Sequence, residues 1–355
     1  MRIAIIGGGI IGLACAWRLA SEGTTVTLFD AASEAREASW AAAGMLAPHH
    51  EYDHDTPLWR FGRAGLDRWP AFLIVLGVSP GEVDFRRDHG LIPILDATDE
   101  HEAAARERFL ASVDVPCRRL NRVELPLALS PDITAGLAIP AAQVNPRLVT
   151  AALRQRCATL GVHLRYADPV IGLAGTTVST TNGTTAFDHV VLASGAWTPA
   201  LATLADLPLR GEPVKGQLLR FAAANNVLPG FIHSRHAYVV PRHDQGVVIG
   251  ATMVDSGFDK RQDDSAIAAL AAAARRLIPA LTDAAILETW TGLRPRLAHG
   301  LPVIATVRPG VTVATGHFRN GILLTPITAD CVAALVLGKT PPYELSAFGM
   351  SPSAG

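Results

Sequence analysis

Residues 2–30 read RIAIIGGGIIGLACAWRLASEGTTVTLFD, and three periodicities follow one another within them. Residues 2–6 are a short apolar run, and Gly7, Gly9 and Gly12 complete a G-x-G-x-x-G pattern. Residues 10–19 continue at helical spacing until Glu22 and Gly23 break it, and a β-branched run at 24–29 closes on Asp30. Strand, tight turn, helix and strand make the first half of a dinucleotide-binding unit. The acid lies 18 residues past Gly12, close to the roughly 20 expected of a ribose-binding carboxylate. Gly7 permits the turn, Gly9 lets backbone approach a pyrophosphate, and Gly12 lets the helix lie close on the strand. Unpaired N–H groups and the dipole at the helix start favour a phosphate. Asp30 accepts from a 2′-hydroxyl and repels a 2′-phosphate, which favours FAD or NAD over NADP. A signal peptide or membrane helix with Arg2 as its positive end is the competing reading. Four glycines and an immediately following strand count against it.

A chain of 355 residues with 49% hydrophobic and 18% charged residues has room for two domains and a buried cofactor. A formal net charge of −1, without a long basic run, points away from nucleic acid and from anionic membrane surfaces, toward small-molecule chemistry. Cys15, Cys117, Cys157 and Cys331 are far apart and form no ligand pattern, so neither a zinc site nor a disulfide framework is expected. They read as buried thiols of a cytoplasmic protein. His49, His50 and His54 are expected in one solvated or substrate-facing loop, with no metal.

Residues 31–37 read as a loop, and the small residues of ASWAAAGMLAP at 38–48 allow backbone to approach a planar group, although an Ala-rich helix start explains them as well. Helices are expected over 56–76 and 100–110, with Trp59, Phe61, Leu66, Trp69 and Phe72 as core, and a strand within 86–94. Residues 148–160 form a helix behind Pro146 and ahead of Gly161. Strands at 162–166, 170–173 and 178–181 lead through Asn182-Gly183, a hairpin signal, to the buried run HVVLAS at 189–194 and Gly195. Strands at 238–242 and 246–253 enclose a turn at 243–245, a helix covers 264–278, and a strand over 286–294 ends in an arginine. Strands at 302–304 and 311–315 precede a glycine loop and a last helix through Leu337, whose first N–H groups are expected beside an anionic group. The fold class is α/β: a discontinuous Rossmann-like nucleotide domain over 1–45, 141–213 and 295–345, a second α+β domain with a mainly antiparallel sheet over 46–140 and 214–294, and a tail at 346–355.

Taken with the N-terminal motif, ASWAAAGMLAP (38–48), VKGQ (214–217), YVVPR (238–242), GATM (250–253), WTGLRP (290–295) and TGHFRNGI (315–322) resemble the FAD-dependent D-amino-acid oxidase family, and within it the glycine-oxidising branch. The motifs span nearly the whole chain in the family's order. The resemblance implies that Arg294 clamps the substrate carboxylate with two hydrogen bonds, for which a guanidinium fork is suited. It implies that Tyr238 donates to the same carboxylate, that Arg319 sits near the amine and the flavin edge, and that Met45, His236 and Met253 shape the pocket wall. For FAD it implies Gly7, Gly9, Ile10, Ile11 and Gly12 at the phosphate turn, Asp30 and Ala31 at the ribose, and Ala38 and Ser39 near the diphosphate. It further implies Ala43, Gly44 and Met45 along the ring, Val170 at the adenine, Gly195 at the cofactor-facing strand end, and His317, Phe318, Arg319, Asn320, Gly321, Ile322 and Leu323 along the pyrimidine. Attachment is expected to be noncovalent, since 290–296 contains no cysteine, unlike the related sarcosine oxidases.

The implied reaction is hydride transfer from the substrate α-carbon to flavin N5, giving an imine that hydrolyses to an oxo acid and ammonia or enters the thiazole branch of thiamine biosynthesis. Molecular oxygen is the implied acceptor, with hydrogen peroxide as product, and homo-tetramers are common in the group. Other readings are a quinone-reducing D-amino-acid dehydrogenase, an oxidase for sarcosine or a larger D-amino acid, a noncatalytic flavin-binding protein, and an NAD-dependent dehydrogenase.

Overall fold

The computed structural model of the chain describes residues 1–33, 36–222, 228–243 and 246–350. The expected loop at 31–37, the turn at 243–245 and the tail lie partly outside the described residues.

Strand Arg2–Ile6 is buried from Ile3 onward, and it sits centrally because both its faces are apolar. It pairs in parallel with Thr25–Phe29 on one side and His189–Leu192 on the other. His163–Arg165 adds in parallel beyond the first, Val311–Thr315 beyond the second, and Val303–Arg308 closes that edge antiparallel. Helix Ile10–Ser21 covers this six-stranded sheet, with Pro146–Thr159 and Thr325–Val336 packed on it in one apolar cluster. Two glycines make the entry turn possible. Gly7 has φ +116°, a region that residues with a Cβ avoid, and a Cβ on Gly12 would overlap the Gly7 carbonyl oxygen.

A second sheet runs in the order Val254–Asp255, Gly211–Phe221, Gly246–Gly250, Tyr238–Arg242, Ile232–His233, Arg86–Ile94, Ala135–Gln143, Met45–Leu46, with Ile286–Leu297 paired to Gly211–Phe221 and Arg118–Asn121 to Ala135–Gln143. Its pairings are antiparallel except that of Ile232–His233 with Arg86–Ile94. A small hairpin sheet, Val170–Ala174, Thr177–Thr180 and Gly183–Ala186, turns at Thr181-Asn182, one residue earlier than the expected Asn182-Gly183, because Gly183 already pairs with Thr180. Among the described residues no helix is long and apolar enough to cross a membrane.

Several expectations need correction. The strand expected to end at Arg294 continues to Leu297 as Ile286–Leu297, because Pro295 faces Pro213 across the ladder and the pairing survives both prolines. The strand at 246–253 stops at Gly250. The last helix starts at Thr325, so it is the turn at 316–324 that approaches the cleft described below, and not that helix's first N–H groups. His49 and His50 are not in a solvated loop. They lie in the short helix Pro48–Glu51 and are 6% and 2% exposed, because Trp59 and Phe231 pack against them, and only His54 faces solvent. Cys15, Cys157 and Cys331 are buried but Cys117 is only partly so. Within the expected tail, Phe348 is buried against Phe61 at a ring-centroid separation of 4.7 Å.

Candidate active site

A cleft of about 560 Å³ runs from the 7–12 turn to the second sheet. Gly7, Gly9, Ile10 and Ile11 line it at one end, with Asp30, Ala31, Ala38 and Ser39. The helical ladder begins with Leu13 N–H donating to the Gly9 carbonyl at 2.9 Å, which leaves the N–H groups of Ile11 and Gly12 ahead of the first turn. The Ile10 N–H is already used, since Ser39 Oγ accepts it at 3.0 Å. Asp30 accepts from Gly8 N–H at 2.5 Å and from Ala32 N–H at 2.8 Å, so the carboxylate is aimed by backbone and keeps lone pairs for a ribose. Val170 and Gly195 line the same space. Gly12 and Leu323 do not: Gly12 packs helix on strand, and the Leu323 carbonyl accepts the indole N–H of Trp69 at 3.1 Å.

The middle of the cleft is backbone and small side chains. After the short helix Ala38–Ala41, residues Ala42, Ala43, Gly44 and Met45 follow its wall, facing His317, Phe318, Asn320, Gly321 and Ile322. This wall is clamped from behind. The fully buried Arg242 donates to the carbonyls of Val144, at 3.2 Å, and of Ala43, while the Trp290 indole donates to the Ala41 carbonyl at 2.9 Å. Arg147 stacks on the Trp40 ring at 3.6 Å and pairs with Glu288 at 3.0 Å. His317 Nε2 meets Thr328 Oγ1 at 3.1 Å, and burial pulls its pKa down to about 4, so the ring is neutral near pH 7. A channel of this size, with an anion-seeking turn at one end and a flat wall of small residues, fits a dinucleotide ending in a planar ring system.

Arg294 and Tyr238 close the other end. Arg294 reaches the site from the interior of its strand, opposite Val214, and its side chain crosses Gly216. A Cβ on Gly216 would overlap the guanidinium, and one on Gly250 would overlap the Tyr238 hydroxyl. Those are the glycines of VKGQ and GATM. Arg294 Nη1 donates to the Thr252 carbonyl at 3.1 Å, and the Thr252 hydroxyl accepts the Gln217 N–H at 2.8 Å. Among the described residues no carboxylate lies within ion-pair distance of Arg294. Burial lowers the Arg294 pKa and raises that of Tyr238, while each group's contact with the other acts in the opposite sense. A half-buried cation with no protein carboxylate in ion-pair reach among the described residues, beside a half-buried phenol, is a carboxylate site in waiting.

Arg319 stands at the same end but is paired with Glu51 at 3.2 Å. His236 and Met253 are not in this cleft; with Arg294, Tyr238, Glu51 and Arg319 they line an adjoining chamber. Met253 is 59% exposed. Sequence reasoning missed Glu51, whose one signal was its place in the short motif-adjacent segment after Pro48, and Arg242, which closes YVVPR but carries no spacing signal for a buried clamp. Among the described residues no group of three or more His, Cys, Asp or Glu side chains could hold a metal ion.

The sequence profile of the family described as FAD dependent oxidoreductase (DAO) matches residues 2–335. A glycine oxidase from Pseudomonas aeruginosa is 34% identical over 96% of this chain and 96% of its own length. A bifunctional protein ThiO/ThiG from Nostoc sp. is 35% identical over 99% of this chain, which corresponds to 55% of that longer protein. In three dimensions the chain superposes on the crystal structure of glycine oxidase from Geobacillus kaustophilus with a TM-score of 0.94 at 29% identity, covering all of both chains.

Proposed function

This chain belongs to the FAD-dependent oxidoreductase family, with FAD as its cofactor, and we propose that it oxidises the CH–NH₂ group of glycine and other small amines or D-amino acids. The observation that carries the reading is Arg294, half-buried beside Tyr238 at the end of the cofactor cleft, with no carboxylate among the described residues within ion-pair distance of it. A zwitterionic substrate supplies that carboxylate.

The residues fit the cofactor in a definite sense. Asp30 would hold the adenosine ribose, the first-turn N–H of Ile11 the diphosphate, and the walls at 42–45 and 317–322 the ring. FAD, when bound, supplies a two-electron acceptor; the chain supplies binding, orientation and exclusion of water. Arg294 takes the substrate carboxylate by its fork and Tyr238 donates its hydroxyl to the same group, so that the α-carbon is held toward the ring. Arg319 and Glu51 bound the amine side, and Met45 the wall. The three segments 1–45, 141–213 and 295–345 act as the cofactor domain and the remainder as the substrate domain. The cofactor is held without a covalent bond, oxygen is the acceptor, and peroxide is a product. Similarity to the Nostoc bifunctional protein supports a role for the imine product in the thiazole branch of thiamine biosynthesis.

The test is anaerobic addition of glycine to the purified yellow protein, followed by air and a peroxide assay. Rapid bleaching with fast, peroxide-forming recovery is expected. Bleaching by D-alanine or D-proline but scarcely by glycine, with sluggish recovery, would assign a dehydrogenase instead, and a colourless protein that takes up no FAD would overturn the reading.

A further inference from the structure

Behind the wall at 42–45, on the side away from the cleft, lies a cation that the reaction as described does not use. Arg242 ends the strand Tyr238–Arg242, is 5% exposed, and does not line the cleft. Two arginines whose charges act on it have carboxylate partners: Arg86 pairs with Asp84 at 2.8 Å and Arg147 with Glu288 at 3.0 Å. Among the described residues Arg242 has no carboxylate within ion-pair distance; it donates to the carbonyls of Ala43 and Val144 instead. Asp84, the acid whose charge acts on it, is taken by Arg86 and by the His243 N–H at 3.2 Å. Burial pulls the Arg242 pKa down to about 10, which leaves it charged near pH 7. An apolar side chain of similar volume would fill the space without the cost of desolvating a charge, so packing alone does not account for a guanidinium here.

What the guanidinium holds is more telling than where it sits. In a trans peptide the carbonyl and the following N–H point in opposite directions. The Ala43 carbonyl is turned back to Arg242, so the Gly44 N–H is turned forward, to the cleft that Ala43, Gly44 and Met45 line. Among the described residues that N–H has no acceptor. The Gly44 carbonyl is also turned back, accepting the Val144 N–H at 2.9 Å, and this turns the Met45 N–H forward in the same way. Val144 is the residue whose own carbonyl Arg242 takes at 3.2 Å, so one side chain ties down both peptides. A Cβ on Gly44 would overlap that Val144 carbonyl oxygen, which is how closely the wall rests on its support. Successive backbone N–H groups on one side of a chain favour negative charge in front of them. A ring that has taken up electrons is the more negative form, and fixed donors with a cation behind them favour it.

We propose that Arg242 is a positioning residue that raises the reduction potential of the flavin, by holding the Ala43 and Val144 carbonyls so that the Gly44 and Met45 N–H groups face the ring, and by placing an unneutralised charge behind them. The proposal rests on the ring lying along 42–45, and not on which amine is oxidised.

The experiment uses the FAD-loaded enzyme without any amino-acid substrate. The flavin is reduced slowly and anaerobically by xanthine and xanthine oxidase beside a reference dye, and both are read from their visible spectra; the Kd for FAD is measured in parallel by dialysis. At a fixed dye ratio, R242M is expected to shift the flavin about tenfold toward its oxidised form, a potential about 30 mV lower for a two-electron couple. R242K, which keeps a charge and a donor, is expected to recover most of the shift, and R242Q, which keeps a donor alone, to fall between. If R242M does not fold or hold FAD, R242Q decides the matter, and a potential equal to that of the unmodified enzyme overturns the proposal. Weaker FAD binding at an unchanged potential overturns it as well, since that is all a merely structural arginine would do. Potential and Kd both unchanged would overturn the proposal together with the placement of the ring along 42–45. If glycine fails to bleach the flavin while R242M still shifts the potential, the oxidase reading fails and the role of Arg242 stands.

Discussion

At the nucleotide end of the cleft the contacts come from backbone and small side chains, most of them within the first 45 residues. At the amino-acid end, long side chains converge from far apart; Glu51 and Arg319, which pair, are 268 positions separated. Backbone contacts depend on a turn that a few glycines specify locally. Side-chain contacts depend on how Ile286–Leu297 is registered against Gly211–Phe221, since a slip of one residue would turn Arg294 to the other face of the sheet. The first kind of site is therefore local and tolerant of changes elsewhere, and the second is exposed to any change in the sheet.

If the two ends are separable, damage at one should spare the other. Arg294→Met is expected to lower kcat/KM for glycine about 1000-fold, roughly 4 kcal/mol for a truncated buried charge pair, with flavin content unchanged. Loss of flavin together with activity, read from the visible spectrum, would break the separation. Gly216→Ala sharpens it, because the new Cβ pushes on the Arg294 guanidinium without touching the cofactor turn. Steady-state kinetics should show about a 30-fold loss in kcat/KM, near 2 kcal/mol.

In acid the two ends should behave alike. His317 at the cofactor end and His233 beyond the substrate end both have pKa values lowered to about 4 by burial. Each folded value lies below the unfolded value of about 6.5, so the unfolded chain takes up protons first. Stability is complete above about pH 7 and falls as the pH drops through 6.5 toward 4. His317→Gln keeps a partner for Thr328 and removes one titration. Urea unfolding should then show the loss between pH 7 and pH 5 reduced by about 2 kcal/mol; an unchanged loss would show that His317 is not held neutral. The smallest effect is expected from Asp30→Asn, which keeps one acceptor oxygen. Equilibrium dialysis should give a Kd for FAD about tenfold higher, about 1.4 kcal/mol, with kcat at saturating FAD within twofold. A larger effect on kcat than on binding would mean the ends are coupled.

The parts of the site legible in the chain were those encoded as local patterns. The turn at 7–12, Asp30 and the small-residue run at 38–45 lie where pattern placed them, because strand, turn and helix each have a short-range period. Pro57–Leu76 was similarly visible from the helical spacing of its apolar residues, and Pro146–Thr159 from the proline and glycine that flank it. Arg294 and Tyr238 stood out only through whole-chain motif resemblance. The expectation that Arg294 ends its strand failed because a paired proline does not have to end an edge ladder. His49 and His50 were expected in a solvated or substrate-facing loop, and the solvated alternative failed because polar residues in a short segment give no sign that Trp59 and Phe231 will cover them.

The amino-acid sequence by itself determined the dinucleotide turn, the order of elements, and the family, since these follow from spacing and from motifs read in series. Tertiary structure alone decided which cations keep a protein carboxylate and which do not. Arg235 and Arg319 find Asp99 and Glu51 across the fold, whereas among the described residues no carboxylate comes within ion-pair distance of the half-buried Arg294. Charge pairing is settled at separations of a few ångströms between residues hundreds of positions apart, a distance that no local pattern encodes.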